Sequence, residues 1–263
     1  MIKNLKFKYA LNNSSALNSG NASNVSNASR AVNASVVSSA SMLHKGFTSF
    51  LMMLIISFAF VAQAAQVDDL WLYVKNDRVE EVGELLVEKK LDPNTVNTIG
   101  TPLLMQTVRD GSWRVFELVL SQPATDVNKT NGYVETPIMY LSLVGDLPRV
   151  KQVRTKGAEL NQNGWTALHY AAVKGHADIV KYLLAEGALP NALSPNGTTA
   201  LMMAMSNNHE EVVQLLLNAG ANPYIVDANA NTAISEGKDR GNTKLVGALK
   251  TWMLKHPESS FKP

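Results

Sequence analysis

An all-α solenoid, a row of repeated helical units stacked side by side, is the fold class this sequence predicts, and three observations predict it. A Thr-x-(Leu/Ile) signal returns at Thr101, Thr136, Thr166, Thr199 and Thr232, in steps of 35, 30, 33 and 33 residues. Self-similarity near a period of about 33 marks an architecture in which each unit buries its apolar side only against its neighbours. Glycines return in the same phase, at Gly145, Gly175 and Gly241 and again at Gly157, Gly187 and Gly220. Apolar pairs four residues apart, Ile179 with Leu183 and Val213 with Leu217, give the buried stripe of an amphipathic helix.

The elements before the repeats are of another kind. Residues 1–41 form an Asn/Ser/Ala-rich leader, with Asn21, Asn24 and Asn27 at every third position. Such a segment has too little apolar surface to offset the entropy of folding and is expected to be disordered. Residues 42–64 read as a signal peptide: His44-Lys45, an apolar core from Phe47 to Val61, then Ala62-Gln63-Ala64. The small residues Ala62 and Ala64 place cleavage between Ala64 and Ala65. The apolar core is short for a span of about 20 residues, so no membrane attachment is expected after cleavage. Met42 is expected to be the true start, which would leave 1–41 untranslated. The body is therefore expected to be exported, to a periplasm or to the medium, and a cleavable leader of this form favours a bacterium.

Charge and cysteine usage narrow the function. The whole chain has 24 basic and 22 acidic residues, but five of the basic ones and none of the acidic ones lie in 1–64. The remainder carries 19 against 22, a net −3, which gives no clustered basic footprint for nucleic acid. With no cysteine, disulfides, thiolate nucleophiles and cysteine zinc sites are excluded.

The fullest repeat runs from Asn163-Gly164-Trp165-Thr166-Ala167-Leu168-His169-Tyr170-Ala171-Ala172 through Gly175-His176 and Ile179-Val180 to Leu183-Leu184 and Gly187-Ala188. It resembles the ankyrin repeat, whose pattern is G-x-T-P-L-H-x-A-A, then G-H, I-V-x-x-L-L and G-A. The resemblance implies paired antiparallel helices joined by hairpin finger loops, in a domain over 66–256. Its units fall at about 66–97, 98–130, 131–162, 163–194, 195–227 and 228–256, with a tail at 257–263. Thr is expected to cap each first helix, and Pro102 and Pro137 to occupy its first position. Ala171, Ala172 and Ala204 are expected where two helices meet closely, and the inter-helix glycines in left-handed turns. Asn131, Asn161, Ser194 and Asp227 are expected at the finger turns. Val67–Asn97 and the polar-faced Ala228–Lys255 read as end caps.

Three departures stand out. The finger between Asn161 and Thr166 is three residues short, so its tip is expected to be retracted or distorted. The second unit carries an extra residue before Gly111 and another near Pro123. The third has Arg149 and Arg154 where apolar residues are usual, and is expected either to pack loosely or to turn these two toward solvent.

No pair of histidines has the i, i+4 spacing of a helical zinc site, and phosphate-loop, nucleophile-elbow and dinucleotide motifs are missing. Asp227-x-Asn229-x-Asn231 opens like a calcium loop, but Thr232 and Lys238 replace the required Gly and Glu. No cofactor, no metal and no catalysis are expected. The resemblance gives His169 a structural role, tying helix to finger. It also implies a protein partner, met by finger tips and inner helices, on a monomeric scaffold. The candidate contacts are Tyr133, Glu135, Asn163, Trp165, Asn196 and Asn229 on the fingers. On the helices they are Arg109, Val144, Val173, Lys174, Ser206 and Asn207, with Val108 paired to Arg109. Trp165 is either a contact hot spot or a packing residue for the neighbouring finger. A binding scaffold leads; a stabilising factor for an exported enzyme, such as one of oxidative stress, and a secreted effector acting on a host protein are the alternatives.

Overall fold

The computed structural model describes residues 69–261. The leader, the signal peptide and the cleavage residues Ala62, Ala64 and Ala65 lie outside the described residues. Among the described residues twelve α-helices follow one another as six pairs, a 3-10 turn at Glu258–Ser260 comes after them, and there is no strand, only an isolated bridge between Val96 and Pro102. The first pair is α1 (69–75) and α2 (Val79–Gly83), the latter continuing as a π-helical turn over Glu84–Glu88. Then come α3 (Leu103–Asp110) with α4 (Trp113–Ser121), α5 (Pro137–Val144) with α6 (Leu147–Thr155), and α7 (Ala167–Lys174) with α8 (Ala177–Ala185). The last pairs are α9 (Ala200–Ser206) with α10 (Glu210–Asn218) and α11 (Ala233–Asp239) with α12 (Thr243–Lys255).

First helices stack on first helices, α3 on α5, α7, α9 and α11 in turn, and second helices form a parallel outer row. Each outer helix buries its stripe: Val150 and Val153, Ile179, Val180 and Leu183, Val212, Val213, Leu216 and Leu217. Ala171, Ala172 and Ala204 are wholly buried where the inner helices touch. The first helices begin at extended caps: the Thr199 hydroxyl accepts from the Met202 N–H, and that of Thr232 from the Ser235 N–H.

The first motif is out of register by one residue. Pro102, not Thr101, is the cap of α3, and Leu103 its first residue. Asn97 decides this: its Oδ1 accepts from the N–H groups of Ile99 and Thr101, as Asn131 Oδ1 accepts from those of Tyr133 and Glu135. Thr101 thus matches Glu135, and the extra residue before Gly111 disappears. Gly111, Gly145, Gly175 and Gly241 take positive φ at the helix junctions, and Asn208, at φ 60°, does so in the fifth unit.

Asn161 is also reassigned. Its side-chain amide donates to the Gly187 carbonyl at 2.9 Å and its Oδ1 accepts from the Leu189 N–H at 2.9 Å. Asn94, Asn128 and Asn191 bridge to the next unit in the same two-handed way. Asn161 is therefore a rung between units, and the fourth finger, from there to Thr166, has no counterpart of the Asn131, Ser194 or Asp227 turn. The rung after Asn191 is Tyr224, whose hydroxyl donates to the carbonyls of Met253 and His256 and so anchors the end of α12. Phe261 closes on the rings of Tyr224 and Trp252.

The third unit is neither loose nor solvent-facing at its arginines. Arg149 lies over the Trp113 ring at 4.2 Å and pairs with Asp146 at 2.5 Å and with Glu117. Arg154 donates to the Ala158 carbonyl and pairs with Glu186 of the next unit. The guanidinium planes do the packing that aliphatic side chains do elsewhere.

Candidate interaction face

The ends of the first helices and the fingers share one face. In the corrected register the helix-end positions are Arg109, Leu143, Val173 and Ser206, followed by Asp110, Val144, Lys174 and Asn207. Val108 falls out of this set, being only 3% exposed in the core. Arg109, Val144, Lys174 and Asn207 are exposed, and Val173 and Ser206 half-buried. At the finger tips the matching positions are Ile99, Tyr133, Asn196 and Asn229, all exposed. Tyr133 is 82% exposed, and Ile99 and Val134 join it as large apolar tip residues.

Glu135 points inward. Its carboxylate accepts from the Tyr140 hydroxyl at 3.0 Å, from the Asn131 amide at 2.7 Å and from the Tyr170 hydroxyl of the next unit. Burial first, and the carboxylate beside it second, push the Tyr140 and Tyr170 phenols above their usual range. Both phenols stay protonated as donors, and the Arg109 guanidinium lies 6.0 Å from the Tyr140 ring.

Beyond Tyr170 the surface opens into a hollow of about 180 Å³ lined by Leu143, Trp165, His169, Tyr170, Val173 and Met203. Trp165 stands edge-on to His169, with ring centres 5.5 Å apart, and to Tyr170 at 6.4 Å. It therefore packs on the helix of its own unit and forms a wall of the hollow. His169 is held at both nitrogens. Nδ1 accepts from the Thr166 N–H at 3.2 Å, so Nε2 carries the proton and donates to the Thr198 carbonyl at 3.0 Å. Burial lowers the His169 pKa and keeps the ring neutral.

The family model for ankyrin repeats matches residues 70–192 and 138–227, more than half of the chain. The chain belongs to the ankyrin-repeat family. Over 100 residues it is 33% identical to ankyrin repeat and SAM domain-containing protein 6 of Rattus norvegicus, a match covering 36% of this chain and 11% of that protein. Over 101 residues it is 31% identical to the Notch-regulated ankyrin repeat-containing protein of Xenopus tropicalis, covering 35% of this chain and 89% of that one. The structure is similar to a solved ankyrin repeat domain from Acinetobacter baumannii, with TM-score 0.60 and 27% identity, covering 70% of this chain and 96% of that chain. The chain thus spans only 11% of the length of the rat relative.

Ankyrin repeats generally mediate protein–protein interaction and are typically non-enzymatic scaffolds. In this ankyrin domain His176 and His209 are staples, donating from Nε2 to the Leu143 and Val173 carbonyls of the preceding unit, each at 3.1 Å. Asn242 does the same to Met205 and Ser206. Asp227 is a turn residue, its Oδ1 accepting from the Asn229 and Asn231 N–H groups. Among the described residues no group of three His, Cys, Asp or Glu could hold a metal, and no helix is long and apolar enough to cross a membrane.

Five apolar or aromatic contributors to this face were missed in the sequence: Ile99, Val134, Tyr140, Tyr170 and Met203. Only Ile99 had a readable signal, since it precedes Gly100 as Asn196 precedes Gly197 and so shares the tip position.

Proposed function

We propose that the protein is an exported binding scaffold that captures one partner protein on the face formed by its finger tips and first helices. The hollow lined by Leu143, Trp165, Tyr170 and Val173 carries this reading. An apolar cavity with aromatic walls, on a domain whose third unit also exposes Tyr133 and Val144, is the kind of surface that takes an anchoring side chain. Arg109, Lys174, Asn163, Asn196, Ser206, Asn207 and Asn229 form its polar surround, and Glu135 holds the aromatic residues in place. Export rests on the apolar leader and on Ala62-Gln63-Ala64. The scaffold works as a monomer in a bacterial periplasm or outside the cell. The test is capture from the extracytoplasmic extract of the source by the immobilised protein, alone and as Tyr133→Ala/Val144→Ala. Both positions are exposed, so the variant folds. A protein retained by the first and lost by the second supports the reading; equal retention by both removes this face as the binding site.

A further inference from the structure

The chain contains three Asn-Gly pairs, Asn131-Gly132, Asn163-Gly164 and Asn196-Gly197, and the structure treats them differently. A glycine after asparagine leaves its backbone nitrogen sterically open to the preceding side-chain amide. Whether the two meet depends on what else holds them. Asn131 is buried, its Oδ1 takes two backbone N–H groups, and its amide donates to Glu135. Asn196 accepts the Ser194 hydroxyl on Oδ1 and the Ala228 N–H on its carbonyl, and the Gly197 N–H donates to the Ser194 carbonyl at 2.9 Å. Asn163 is exposed, and among the described residues neither its side chain nor the Gly164 N–H has a hydrogen-bond partner. It lies in the shortened finger, which lost the side-chain-capped turn that restrains the other two.

We propose that Asn163 is a site of spontaneous deamidation on the interaction face. The Gly164 backbone nitrogen loses its proton to water or hydroxide and bonds to the Asn163 side-chain carbonyl carbon. The carbon–nitrogen bond of the side-chain amide breaks, and ammonia leaves with the proton returned by solvent. Water then opens the resulting five-membered imide at either carbonyl, leaving aspartate or isoaspartate at position 163. The net reaction consumes one water and releases one ammonia, with no oxidant or enzyme.

Position 163 is two residues before Trp165, a wall of the hollow. Conversion adds one negative charge at the rim, and the isoaspartate product lengthens the backbone there by one carbon, displacing the wall. The face therefore changes charge and shape with the age of the molecule. The chemistry at Asn163 stands whether or not the hollow binds a partner.

The full chain, incubated folded in mildly alkaline buffer, is mapped by peptide mass spectrometry with isoaspartate detection, beside a sample kept unfolded in denaturant. In the folded sample position 163 is expected to convert at least about tenfold faster than 131, where several hydrogen bonds must first open, and faster than 196. In the unfolded sample the three rates should converge, because all three share the same following glycine. Equal rates in the folded sample overturn the proposal. So does a lead for 163 that persists undiminished in denaturant, since the selectivity would then not come from the fold.

Discussion

The third and fourth units and the fifth and sixth are joined in opposite ways, and the difference determines what each half shows to solvent. Between the fifth and sixth, fingers meet backbone to backbone: the Ala228 N–H donates to the Asn196 carbonyl, and Gly197 lies so close that a Cβ there would stand 3.2 Å from the Asp227 Cα. The matched tip and helix-end positions there carry amide and hydroxyl: Asn196, Asn207 and Asn229 exposed, and Ser206 half-buried. Between the third and fourth, the short finger makes no such contact. A carboxylate, Glu135, reaches across to Tyr170 instead, and rings and aliphatic groups are left lining a hollow. A deletion of three residues thus turns a continuous finger row into a place where an apolar side chain can enter.

The most damaging way to test the joints is to fill the glycines under the histidine staples. A Cβ on Gly175 would stand 2.4 Å from His209 Nδ1, at a φ of +78°. Gly175→Ala should cost about 3 kcal/mol, from left-handed strain and the lost staple together. Gly187→Ala, with φ +91° and nothing within 4 Å, should cost only the strain, about 1 to 2 kcal/mol. Urea denaturation of the two variants measures the gap, and equal losses would remove the histidine ring from the explanation.

Next comes the side-chain joint itself. Glu135→Ala strips the acceptor from two half-buried phenols and from Asn131, and should cost about 2 kcal/mol. Asn196→Ala leaves its backbone joint intact and should stay within about 0.5 kcal/mol. If both are silent, the third and fourth units are held by helix packing alone.

A smaller effect is set by pH. His169 has its pKa lowered by burial, so the unfolded chain binds a proton below the usual histidine range while the folded chain does not. Stability should therefore be full above that range and fall as pH drops through about 6.5. His169→Gln should flatten the fall in a series of urea midpoints against pH. A fall that persists unchanged in that variant belongs to other groups.

The period, the inter-helix glycines and the stapling histidines were legible because each is a backbone requirement repeated in the same phase. The register of the first motif was not. Thr101-Pro102-Leu103 imitates the start of a helix, and only the Asn97 turn, which is readable once its match to Asn131 is noticed, shows it to be one residue early. Asn161 was misassigned because asparagine serves two purposes here, closing finger turns and bridging units, and residue type alone does not separate them. The bond from Glu135 to Tyr170 spans 35 residues, and neither side chain is required by the repeat pattern. Such pairings are free to differ from unit to unit, so periodicity carries no information about them.

The mildest substitutions make the sharpest test of which half binds. Tyr133 and Asn229 hold the same tip position in the third and sixth units. Both tips are shaped by a side-chain oxygen two residues earlier, from Asn131 and Asp227, and not by the tip residue itself. Tyr133→Ala and Asn229→Ala should therefore each leave stability within about 0.5 kcal/mol of the parent. Partner capture should separate them: removing the exposed aromatic of the third unit should weaken it by about tenfold or more, and removing the amide should do little. If Asn229→Ala is the damaging change, the partner lies on the polar half, and the hollow at the short finger is a by-product of the deletion.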